Sequence, residues 1–134
     1  MRALSLTVAL VLCLASTVAA IEVTNITFGR SAYRQELPGS TIPGESFWSN
    51  YRCAEYDHVA VFSIRKPDGT PIASETQWVD GPHPVAGHHH SMSKIVTGTE
   101  TFDAPVILRL EIWDPWAWPV PDTFAVEQLV QPAN

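Results

Sequence analysis

Residues 112–122 read IWDPWAWPVPD and carry three of the chain's five tryptophans, three prolines and two aspartates. Pro115, Pro119 and Pro121 each lack a backbone donor and fix their own φ, so the stretch is expected to be a surface loop. Trp113, Trp116 and Trp118 each offer a large apolar body with one donor, suited to the boundary between lipid and water, to a sugar face or to a protein hot spot. Stiffening by proline lowers the entropy lost on binding. A second cluster, HPVAGHHHSM (83–92), places His88 and His90 on one face if the segment is extended, with His83, His89 and Met92 close in sequence. Imidazoles at that spacing suit Cu²⁺ or Zn²⁺, and a thioether suits Cu⁺. A third, CAEYDH (53–58), holds a thiol, two carboxylates and an imidazole. Strand alternation would send Cys53, Glu55 and Asp57 to one face and His58 to the other, which disfavours a nucleophilic enzyme. Gly-x-Ser-x-Gly, His-Glu-x-x-His and phosphate-loop motifs are absent from the sequence, so the reading leans away from catalysis.

The elements that must carry these residues read as strands. No window holds a helical period over eleven residues, and eleven prolines and seven glycines punctuate the chain. IEVTNITF (21–28) switches apolar phase midway, which predicts a strand with a bulge near Thr24 and Asn25. RQELPGSTIPGES (34–46), with two Pro-Gly pairs, reads as a long turn-rich connection. DHVAVFSIR (57–65) is apolar on both phases, as a strand in the middle of a sheet should be. KPDGT (66–70) is a turn that folds the chain into PIASETQW (71–78) as a hairpin. After a loop over 79–91 comes the short strand MSKIVT. PVILRLEIW (105–113) sets Val106, Leu108, Leu110 and Ile112 on one face and Arg109 and Glu111 on the other, and TFAVEQLV (123–130) repeats the pattern. This rhythm predicts an all-β fold, a single antiparallel β-sandwich of seven to eight strands spanning residues 21–134.

Residues 1–20, MRALSLTVALVLCLASTVAA, have an early Arg, an apolar run and small residues at Val18 and Ala20, the pattern of a secretory signal peptide. The expected product is secreted and extracellular, with no transmembrane segment in the mature chain. Loss of Arg2 leaves seven basic residues against fourteen acidic ones. Such a surface repels nucleic acid and favours anionic lipid only through an intervening cation. Cys53 becomes the lone cysteine in an oxidising compartment, either buried as a core thiol or linking to another chain. Asn25-Ile26-Thr27 is an acceptor sequence for glycosylation.

Two stretches carry a family resemblance. YDHVAVFSIRKPDG (56–69) resembles the Ser-Asp-Pro-Tyr-Val-x-Val run that leads into a strand and polar hairpin turn in C2 domains, with Asp57 in the aspartate's position. VILRLEIWD (106–114) is similar to the strand ending in Val-Trp-Asp that opens the third calcium loop of that family, and Asp122 follows at a spacing that suits a second ligand. The resemblance implies an eight-stranded sandwich whose loops at one end bind Ca²⁺ and membranes. Trp116 stands where that family carries a further aspartate, and Tyr51 where an acidic ligand is expected. The implied site, Asp57, Asp114 and Asp122, is therefore weak, since Ca²⁺ takes six to eight oxygens. Immunoglobulin and fibronectin sandwiches share the same rhythm without sequence similarity, so the expected fold is C2-like or immunoglobulin-like. The expected function is a secreted, non-enzymatic module that engages a phospholipid membrane surface or an extracellular protein through its Trp/Pro-rich loop. The alternatives are an extracellular copper- or zinc-binding protein using His83, His88 and His90, and an interaction protein linked through Cys53.

Overall fold

The structure is a computed structural model that describes residues 22–53, 57–79, 88–98, 103–115 and 122–132. Seven strands are present: β1 (Val23–Leu37), β2 (Ser40–Cys53), β3 (His58–Arg65), β4 (Pro71–Val79), β5 (His88–Thr97), β6 (Val106–Asp114) and β7 (Asp122–Val130). They form two antiparallel sheets, of order β1-β2-β5 and β4-β3-β6-β7. The fold is thus an all-β sandwich of seven strands. With the first, second and fifth strands in one layer and the third, sixth and seventh in the other, it follows the immunoglobulin-type key, the fourth strand being added beside β3. Among the described residues no helix is long and apolar enough to cross a membrane.

Alternation builds the core. β3 buries His58, Ala60, Phe62 and Ile64, and β6 buries Val106, Leu108, Leu110 and Ile112. Both are central strands, flanked on each side by hydrogen-bonded neighbours, which explains why β3 is apolar on both phases. β2 supplies Phe47, Tyr51 and Cys53 from the opposite layer. Ser49 on the same phase and Trp48 on the other conceal this alternation in the sequence. Trp48 instead lies across Gly29, its register partner, so closely that a Cβ there would fall 2.2 Å from the indole.

Turn chemistry behaves as residue types dictate. Gly69 (φ 96°) completes the 66–70 turn, closed by Gly69 N donating to Lys66 O at 2.9 Å. The bulge expected near Asn25 is present as a register shift between Thr24 and Thr27, with Asn25 itself at φ 54°, a region asparagine tolerates better than most residues.

Two expectations are corrected. Residues 34–46 are a hairpin rather than a connection: Pro38-Gly39 alone makes the turn, and Pro43 lies inside β2 opposite Arg34. Pro43 is tolerated because β5 pairs with β2 only from Gly44 onward, so at Pro43 the strand is an edge. Residues 88–91 are strand rather than loop, since His88–Ser91 pair with Cys53–Asn50 and extend β5 by four residues beyond the apolar run.

At the end of the sandwich opposite the loops considered next, a buried ion pair joins the layers. Arg30 Nε and NH2 donate to Glu45 Oε2 and Oε1, each at 2.7 Å, while Arg30 NH1 donates to the carbonyls of Ala104 (2.9 Å) and Val130 (3.1 Å). The Arg30 side chain is 1% exposed and that of Glu45 5%.

Candidate functional site

Register fixes which connections share an end. Cys53 is opposite Val23 and His88, His58 is opposite Val79, and Asp114 is opposite Asp122. The strand ends that flank 53–58, 79–88 and 114–122 therefore share one end of the sandwich, and the described residues of all three clusters singled out from the sequence stand at or near it. Asp114 and Asp122 are direct cross-strand partners at the mouth of the β6–β7 connection. Asp57 stands at the same end, one residue before β3, and is exposed. Asp114 is half-buried. Two of the three expected calcium ligands, Asp114 and Asp122, thus stand at paired backbone positions, with Asp57 exposed at the same end.

Trp113 is the last residue but one of β6 and is 42% exposed, on the outward phase. Its Nε1 donates to Glu111 Oε1 at 2.6 Å. Trp116 and Trp118 lie outside the described residues, as does His83. Trp78, which the sequence offered only as the end of a strand, is 61% exposed on β4. Its phase is the polar one shared with Thr76 and Ser74, and an aromatic on that phase is the signal that could have found it.

Inside the same end, side chains from both layers form an aromatic and imidazole cluster. Tyr51 and His58 are fully buried, and the Tyr51 hydroxyl is hydrogen-bonded to His58 Nε2 at 2.8 Å. His90 stacks on Tyr51 at 5.1 Å between ring centroids and meets His58 edge-on at 5.0 Å. His88 adjoins His90 at 5.0 Å, so the expected shared face of these two histidines is present. Burial, and secondarily the neighbouring Cys53, pushes the Tyr51 phenol well above the usual tyrosine range. Met92 is the next inward residue of β5 and is buried, while His89 is exposed on the other phase.

His58 was expected on the face opposite Cys53. That expectation is corrected, because alternation does not run through from 53 to 58: the chain crosses from one sheet to the other, and both residues face inward. Cys53 is 2% exposed and its side chain belongs to the core cluster. Asn25 is exposed at the bulge near this end.

Among the described residues no group of three or more His, Cys, Asp or Glu is disposed to hold a metal ion. For Ca²⁺ the paired aspartates supply only part of an oxygen shell, and the rest would come from Asp57, carbonyls and water. For a softer ion, His88 and His90 supply two nitrogens side by side.

No family model matches the chain, and neither a curated protein nor a solved structure is similar to it.

Proposed function

We propose that the chain is a secreted, non-enzymatic binding module that engages a membrane surface or extracellular partner with the end of the sandwich where its three functional connections meet. A weak Ca²⁺ sits between the β6 and β7 strand ends, held by Asp114 and Asp122 with Asp57 at the rim. Trp116 and Trp118 supply the apolar contact, with Trp113 at the base of their connection. The observation that carries this reading is the register pair Asp114 and Asp122, two aspartates at facing backbone positions at the base of the Trp/Pro-rich connection. A divalent cation would draw two such carboxylates together and also bridges an acidic protein to an anionic surface. Extracellular Ca²⁺ is abundant enough to fill a site of the weak class.

Tryptophan fluorescence with phosphatidylserine vesicles tests it. The expected result is a blue shift on adding millimolar Ca²⁺, reversed by EDTA and lost in Asp114→Asn. Emission that vesicles and Ca²⁺ together leave unmoved would sink the reading.

A second reading, extracellular copper or zinc binding, is favoured by one observation: His88 and His90 lie ring to ring beside His58. In that case His83, His88 and His90 bind the ion, and His58 and Tyr51 back the site from the core.

A further inference from the structure

The outer face of the four-stranded sheet presents residues in rows that register defines. In the row nearest the loop end, Trp78 of β4 and Trp113 of β6 both pair with Val59 of β3, and Thr123 of β7 pairs with Trp113. The two tryptophans thus stand two strands apart, roughly 10 Å between backbones, with the smaller, half-buried Val59 between them. They are the two most exposed tryptophans among the described residues, at 61% and 42%. Donation of the Trp113 N–H to Glu111 fixes how that indole lies.

Charge on this face is internally cancelled. Arg65 pairs with Glu127, Arg109 pairs with Glu127 at 3.4 Å and with Glu111 at 3.7 Å, and Glu111 ends the chain of contacts at Trp113. Two guanidinium groups face two carboxylates, so the face holds no net charge for an ionic partner to meet. The next row, Thr76, Val61, Glu111 and Ala125, is mixed polar and small. At the loop end of the face the apolar surface is therefore divided into two aromatic islands set among hydroxyl and carboxylate groups, with the exposed Leu129 apart from them at the other end, rather than forming one contiguous patch of the kind a lipid or protein surface engages.

We infer that Trp78 and Trp113 form a binding platform for an extended, neutral glycan. A pyranose ring turns a face of C–H groups toward an aromatic ring, whose face is negative, and keeps its hydroxyls at the edge for polar neighbours. Thr76, Thr123 and Glu111 are those neighbours. The roughly 10 Å between their backbones exceeds one pyranose ring, so two non-adjacent sugars of one chain stack while the sugar between them spans Val59. The Trp113 indole, already held by its bond to Glu111, loses little entropy on binding. This platform requires no cation and does not rest on the loop-end calcium site.

The intact protein is tested by depletion onto insoluble cellulose and chitin and by titration with their soluble hexasaccharides, all in EDTA. The expected result is saturable binding to at least one of these, unchanged in about 1 M NaCl, where the screening length is about 3 Å. Trp78→Ala and Trp113→Ala should each weaken it at least tenfold, while Trp78→Phe retains part of it and Leu129→Ala, on the same face, leaves it intact. Thermal melts of each variant separate lost contact from lost fold. Absence of binding to every glycan overturns the inference, as does binding that survives the double alanine variant. Partition into phosphatidylcholine vesicles without glycan binding also overturns it and assigns the face to lipid. Because these arms exclude Ca²⁺, their failure leaves the calcium-dependent vesicle result unaffected.

Discussion

Replacing Arg30 with Met probes what joins the two layers at the end opposite the site. The methionine fills much of the arginine's volume but donates nothing, so the Glu45 carboxylate, 5% exposed, loses two bonds of 2.7 Å, and the Ala104 and Val130 carbonyls lose their donor. Breaking a buried pair from one side costs about 3–5 kcal/mol, mostly the penalty of leaving a charge unpaired. For a domain of this size each kcal/mol corresponds to roughly 4 °C, so the midpoint should fall by about 12–20 °C. Urea unfolding followed by far-ultraviolet circular dichroism gives the free energy by linear extrapolation. Glu45→Leu in the Arg30→Met background should recover most of the loss, because the uncompensated charge goes with it. A single-variant loss under about 1 kcal/mol, or a double variant no better than the sum of its parts, would refute the argument that desolvation dominates here. Salt provides an independent check: about 1 M NaCl should weaken the exposed Arg65–Glu127 and Lys94–Glu75 pairs and leave the Arg30 effect unchanged.

Tyr51 makes stability sensitive to alkali. Its folded phenol is held above its ordinary value by burial, so its contribution is fully present below pH of about 10 and is lost as pH rises beyond it, since the unfolded chain ionises first. Tyr51→Phe should flatten the alkaline slope of the urea midpoint while costing about 1–3 kcal/mol at neutral pH, because His58 Nε2 loses its buried partner; an unchanged slope would show that Tyr51 is not responsible. Calorimetric titration with Cu²⁺ and Zn²⁺ tests the metal reading, which expects one ion bound and affinity lost in His90→Ala. Affinity no tighter than that of a scrambled 83–92 peptide ends it.

Strands whose partners make them apolar were legible in the sequence. β3 and β6 announced themselves because central strands bury one face fully and shield the other. The bulge at Asn25 was legible because the apolar phase switches between Val23 and Ile26, and the 66–70 turn because it needs a backbone conformation that Gly69 supplies. β5 was shortened because three consecutive histidines carry no apolar alternation, although the half-buried His90 shares the strand phase of the buried Met92. The 34–46 hairpin was missed because Pro43 signals a break unless one knows that β5 stops pairing at Gly44. Convergence of the three clusters at one end is a property of topology, which no local spacing encodes. Trp78 lay within reach, since an indole on the serine and threonine phase of a strand has nowhere to go but outward.

The interior position of Cys53 has a consequence for how the molecule matures. Its thiol is sealed once the sheets close, at 2% exposure, but every unfolded copy presents it openly, and the proposed secretory route would carry that copy through a compartment that oxidises thiols. On that route maturation is a race between chain closure and cross-linking, and the sandwich, whose pairings join residues far apart in sequence, is a slow type of runner. The same seal makes Cys53 a natural stopwatch: the rate at which a thiol reagent labels the native protein reports how often the two sheets part.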